Sequence, residues 1–170
     1  LLTSKDERVL ARKIEGGKHL KGLDSELVAL EGRQPRPWEL TSGLLHRMVA
    51  ASSLVNSLGD QLGLPQNMTL SQVSDNTALR DAIDAEVSVE MLANIAETMS
   101  EEPEEIYKQV INLSLTSWLV PPEAIDILDD CKLDELGEAL IQPRALEELR
   151  GLDPVFRMYF NRVEAESDRS

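Results

Sequence analysis

The segment Ser100-Glu101-Glu102-Pro103-Glu104-Glu105-Ile106-Tyr107-Lys108-Gln109-Val110-Ile111-Asn112-Leu113-Ser114-Leu115-Thr116-Ser117-Trp118-Leu119 contains the best case in the chain for a β-strand and the strongest case against it. Taken alone, Val110-Ile111-Asn112-Leu113-Ser114-Leu115 approaches the alternation of a half-buried strand. Its flanks do not. Ile106, Val110 and Leu113, with Trp118 beyond them, keep the 3.6-residue period of a helix face. Upstream, Ser100 suits an N-cap, and the glutamates that follow stack at the positive end of a helix dipole. The segment therefore predicts a helix opened at Ser100 and stopped by Pro121-Pro122. With its best strand read as helix, the chain has no run that demands a sheet.

The same reading extends in both directions. At the start, Val9, Leu10 and Ile14 share one face, and Arg8, Arg12 and Glu15 lie on the other. Ser4 with Glu7 fits a capping box, with Thr3 and Asp6 as the alternative register. Gly16 and Gly17 are stop signals, yet Leu20, Leu23, Leu27 and Leu30 carry the helical spacing past them. Gly32 to Pro37 is a clear break, and Pro37 suits the first turn of a new helix. Trp38, Leu44, Leu45, Met48 and Val49 form its apolar side, followed by Leu54, Val55, Leu58 and Leu62 up to Gly63 and Pro65. Ser74 or Asp75 is placed to cap a helix carrying Leu79 and Ile83, and Ser88 to cap another with Met91, Leu92 and Ile95. Ile125 and Leu128 point inward after Pro122, and Pro143 and Asp153-Pro154 open two more helices. The expectation is an all-α fold, an irregular bundle of about eight helices with no sheet. Residues 1–31 form an N-terminal amphipathic segment and 32–170 an acidic helical domain.

Composition agrees. Of 170 residues, 42% are hydrophobic and only 4% aromatic, so aliphatic helix formers must build the core. The net charge of −14 argues against a general nucleic-acid binder, whose affinity rests on neutralising phosphates. Its distribution is uneven: residues 1–48 hold nine Lys/Arg against seven Asp/Glu, and residues 49–170 hold eight against twenty-four. Only the N-terminal segment is suited to lie near DNA. A single cysteine, Cys131, excludes an intrachain disulfide and suggests the reducing cytoplasm. No stretch reaches the roughly 18 apolar residues of a membrane span.

Residues for catalysis or metal binding are sparse. One Cys with His19 and His46 does not make a zinc set, and Cys131 has no histidine near it in sequence. No Gly-rich loop follows a strand. Glu101, Glu102, Glu104 and Glu105 lack the alternating ligands and the mid-loop glycine of a calcium loop. No catalytic residue, cofactor, metal or small-molecule substrate is expected.

Residues 1–17, Leu-Leu-Thr-Ser-Lys-Asp-Glu-Arg-Val-Leu-Ala-Arg-Lys-Ile-Glu-Gly-Gly, resemble region 1.2 of the bacterial primary sigma-factor family. The elements that match are Leu1, Leu2 and Thr3; the acids Asp6 and Glu7; Leu10 and Ala11; the bases Arg12 and Lys13; then Ile14, Glu15 and Gly16. Residues 18–166 resemble, in length, charge and helicity, the acidic insertion that some members of that family carry, the non-conserved region. Val163 to Ser170 is similar to the charged lead-in to region 2.1. Asp153 to Phe160 is similar to an Asp-Pro-Val-Arg-Met-Tyr stretch of the family, and Gly32 to Leu40 to a Gly-Arg-x-Pro-x-Pro-x-Glu-Leu stretch. No function is placed on those two echoes.

The resemblance implies a non-catalytic fragment, ending before region 2.1, of the subunit that directs RNA polymerase to promoters. Its partners would be core RNA polymerase, near the clamp of the largest subunit, and promoter DNA within the holoenzyme. The isolated chain would bind DNA weakly or not at all. Arg8, Arg12 and Lys13 are the candidates for contact with phosphate or core enzyme, set against their reading as exposed charges on an amphipathic helix. The other reading of the whole chain is a stand-alone acidic helical adaptor for a basic protein partner.

Overall fold

A computed structural model describes residues 3–169; Leu1 and Leu2, which open the sigma-like stretch, and Ser170 lie outside them. Eleven helices are present among the described residues: α1 (Ser4–Glu31), α2 (Pro37–Ala50), α3 (Ser52–Leu62), α4 (Leu70–Asp75), α5 (Thr77–Asp84), α6 (Val89–Met99), α7 (Pro103–Leu119), α8 (Pro122–Ile127), α9 (Leu133–Ala139), α10 (Pro143–Gly151) and α11 (Asp153–Arg169). The all-α class stands, and the count exceeds the eight expected. The surplus comes from short pieces: Ala51 separates α3 from α2, Asn76 separates α4 from α5, and α9 is seven residues long. The only pairing of β type among the described residues is an isolated bridge, Thr69 with Lys132. It joins the turn before α4 to the turn before α9, with Leu70 N–H donating to the Cys131 carbonyl and Leu133 N–H to the Met68 carbonyl.

The first helix starts on the second of the two cap registers. Thr3 Oγ1 accepts from the Asp6 N–H at 3.1 Å, and the Asp6 carboxylate accepts from the Thr3 N–H at 3.0 Å, so Ser4 is already helical. The helix then runs through Gly16 and Gly17 to Glu31, where Gly32 in a left-handed conformation ends it. Two adjacent glycines weaken a helix by about 1 kcal/mol each relative to alanine. Burial of Leu20 and Leu23 in the core beyond them offsets that loss.

Further caps depart from the expected residues by a position or two. Asn76, not Ser74 or Asp75, caps α5 through its side chain at 2.9 Å from Leu79 N. Ser100 does not open α7. It closes α6 in a left-handed conformation (φ 56°), and the cap passes to Glu102, with Pro103 in the first turn. Ser, Asp and Asn can all satisfy the same few N–H groups, so a polar run marks a boundary without choosing its cap, and Glu102 holds the cap position of α7 with no side-chain bond. Ser88 does cap α6, as expected.

One core joins these helices. Leu20 and Leu23 of α1 lie in it with Leu44, Leu45 and Met48 of α2, Ile106, Val110 and Leu113 of α7, and Phe156 and Phe160 of α11. The central helix is α7, buried from Leu113 through Ser117. The last helix returns along the first: its C-terminal turn reaches Gly17 and Lys21, and its first residue reaches the start of α2.

Candidate functional site

The first helix, α1, is fixed to the body along its middle, from Gly16 to Leu23, and stands clear of it at its start. Between Thr3 and Val9 every residue whose burial is described is exposed, and Val9 itself is 42% exposed. Arg8 is on this free part, and no ion pair to it forms among the described residues. Arg12, one turn on, is engaged. Its guanidinium lies 3.5 Å from the Asp84 carboxylate and donates to the Asp84 backbone carbonyl at 3.4 Å. Asp84 also receives a bidentate pair from Arg80 at 2.8 and 3.0 Å and the Ser114 hydroxyl at 2.7 Å. Arg12 is thus a tie between α1, α5 and α7. Lys13 is half-buried and lies about 100° round the helix from Arg12, so it does not extend the Arg8–Arg12 face.

At Gly16 and Gly17 the body closes on α1. A Cβ on Gly16 would stand 2.6 Å from Cζ3 of Trp118, so only glycine lets α7 come this near. Gly17 is met by the side chain of Ser167, and the Ser167 hydroxyl is 3.5 Å from the Ile14 carbonyl. An exposed pair, Lys21 to Asp168 at 3.7 Å, continues the seam. The two glycines, legible only as helix-stop signals, are packing positions.

Above the seam lies a cleft of about 840 Å³ whose polar wall includes His19, Glu26, Arg47 and Thr116. His19 Nε2 is 2.9 Å from the Thr116 hydroxyl and 3.1 Å from Arg47 Nη1, and Arg47 Nη2 donates to Glu26 at 2.8 Å. An arginine offers only donors, so Nε2 accepts and the ring proton sits on Nδ1. Burial, and then the Arg47 charge, lower the His19 pKa against a smaller opposing effect of Glu26. A Thr–His contact of this length resembles a nucleophile with its base. Here burial and then the cationic neighbour weaken the base, and only 2% of Thr116 is exposed. The group works as a bridge from α1 to α2 and α7. No sequence motif announced it, because its members are separated by 28 and 97 positions.

No family model matches the chain, and no curated protein or solved structure matches it either. Function must be argued from the residues and their placement. Among the described residues no three His, Cys, Asp or Glu side chains converge as a metal site, and no helix is long and apolar enough to cross a membrane.

Proposed function

We propose that the chain is part of a sigma factor, the RNA polymerase subunit that directs initiation to promoters. In this reading residues 1–17 are the region 1.2 helix, and 18–166 are an accessory acidic insertion. The observation that carries it is the contact of Gly17 with Ser167. Many members of the family run from the region 1.2 helix almost directly into region 2.1. An insertion between those two elements is tolerated when its own ends lie side by side, as for inserted domains in general. The sequence resemblance places those ends at Gly17 and near Glu166, and these are the residues that meet in space.

The exposed start of α1 supports the same reading. A DNA- or core-facing helix must present surface, and those of residues 3–9 whose burial is described do so, while α1 packs on the body through Gly16, Gly17, Leu20 and Leu23. Arg8 is the best of the three basic candidates for contact with phosphate or core enzyme, since Arg12 is spent on Asp84. The core RNA polymerase clamp and promoter DNA are the partners this reading implies.

The test uses the full-length product of the gene with purified core RNA polymerase and promoter DNA. Promoter-specific transcripts, absent with core enzyme alone, are expected. Failure to associate with core enzyme, or association without specific initiation, contradicts the proposal. The 170-residue chain alone is expected to leave duplex DNA unshifted in a gel, and tight, salt-sensitive binding would count against the reading.

A further inference from the structure

In a chain of net charge −14, four arginines gather at one corner of the bundle. Arg33, Arg36 and Arg157 line an open cleft of about 660 Å³ between the loop before α2 and the outer face of α11. Arg150 lies over the ring of Trp38, 4.9 Å from its centroid, at the same corner. Pro35, Trp38 and Leu40, all partly exposed, supply apolar wall, backed by the buried Pro37 and Phe160.

The acids nearby are largely spent. Glu39 receives two bonds from Arg33 at 2.8 Å and the Arg36 N–H at 2.9 Å. Its pKa falls to about 2, mainly through the Arg33 bonds. Asp153 accepts the Trp38 N–H at 2.8 Å, and its other oxygen is 3.9 Å from Arg36. Donors remain. Arg36 is 67% exposed at its side chain, and Arg157 forms no ion pair among the described residues. Glu164, at the rim, is the one lining carboxylate without a bond among them. The cleft therefore has donors to offer, few free acceptors and an apolar floor, and it calls for an anion attached to something apolar.

We propose that this cleft binds a short acidic segment of a partner protein, its carboxylates received by Arg36 and Arg157 and an apolar side chain set against Pro35, Trp38 and Leu40. Two observations favour a short peptide over nucleic acid. The cleft, about 660 Å³ and confined to the loop before α2 and part of α11, has room for a few side chains and not for a run of nucleotides. A nucleic-acid strand carries a charge about every 3.4 Å and would run from the cleft onto acidic surface, beginning with Glu31 and Glu164. Arginine receives planar carboxylates in two-point fashion, which gives such a segment orientation as well as charge pairing. This inference stands on the cleft alone and is independent of the sigma reading.

The test is titration of the intact 170-residue chain followed by the two indole N–H signals in a ¹H–¹⁵N spectrum, with Trp118→Phe assigning them. The probe is the synthetic pentapeptide Glu-Leu-Glu-Phe-Glu. The expected result is saturable movement of the Trp38 signal with the Trp118 signal still. Arg36→Glu and Arg157→Glu, both at exposed positions, should weaken binding at least tenfold, while Lys108→Glu, outside the cleft, should leave it unchanged. An unmoved Trp38 signal at millimolar peptide overturns the proposal. Equal binding by the Gln-for-Glu peptide, or tighter binding by oligothymidylate or inorganic phosphate, overturns it too.

Discussion

Asp153 caps α2 from 115 positions beyond Trp38 in sequence: its Oδ1 accepts the Trp38 N–H at 2.8 Å. Pro37 in the first turn of α2 has no N–H to satisfy, and the Glu39 side chain covers the Arg36 N–H. Asp153 takes the next orphan donor and brings the start of α11 to the start of α2. Removing it should cost about 1–2 kcal/mol, the usual loss for an N-cap carboxylate. Thermal unfolding followed by circular dichroism should show Asp153→Ala melting about 2–8 °C lower. Asp153→Asn, which keeps the accepting oxygen, should recover most of the loss.

The glycines of α1 separate packing from propensity. Gly22 has nothing within 4 Å of a Cβ, so Gly22→Ala should stabilise by about 0.5–1 kcal/mol through helix propensity alone. Gly16→Ala and Gly17→Ala gain the same propensity and lose more, because Trp118 and Ser167 occupy the space. Chemical denaturation should rank Gly22→Ala above wild type and both others below it. Adding Ser167→Gly to Gly17→Ala should restore stability, whereas an unchanged deficit would show that Ser167 is not the obstacle.

Arg12 and Arg8 should behave differently although they share a helix face. Arg12→Ala removes a part-buried tie to Asp84 and should destabilise by about 1–2 kcal/mol. Arg8→Ala, at an exposed position, should stay within about 0.5 kcal/mol. Asp84→Ala should be the worst of the three, since it leaves Arg12, Arg80 and Ser114 without their shared acceptor. Denaturant midpoints measured side by side decide the order.

The pattern of these contacts explains what could be read from the sequence. Helix class was carried by local period, as at Ile106, Val110 and Leu113, and the break from Gly32 to Pro37 by residues that permit little else. The cap of α5 is Asn76, just past the expected Ser74 or Asp75, because all three side chains offer a comparable acceptor. Continuation through Gly16 and Gly17 was left open because what occupies the space beside them comes from Trp118 and Ser167, about 100 and 150 positions away. For the same reason Arg12 looked like a free cation, with Asp84 72 positions on. The arginine cleft was not legible: Gly32 to Leu40 and Asp153 to Phe160 carry only separate echoes with no function placed on them, and folding sets them side by side.

Two acid–base groups should mark separate pH windows. The His19 pKa is lowered from its ordinary 6.5, so below about that pH the unfolded chain takes up a proton that the folded one refuses. Stability should be full above that value and fall as pH drops through the folded pKa. Glu39, held at about 2, contributes above its ordinary 4.5 and loses that contribution between 4.5 and about 2. Urea unfolding at a series of pH values should show the first decline vanish in His19→Gln and the second persist there. A His19→Gln protein with the wild-type profile just below pH 6.5 would remove His19 as the cause.

The central claim of the proposal is that residues 18–166 are accessory, with α11 returning to α1 where Ser167 meets Gly17, although α1 itself runs on to Glu31. It is tested most directly by excising residues 18–166 from the full-length gene product, joining the ends with a short linker, and measuring promoter-specific transcription with purified core RNA polymerase. The account predicts that both the intact and the shortened protein initiate at the same promoter start site. Loss of core binding and of specific initiation in the shortened protein, or their absence from the intact one, would contradict it.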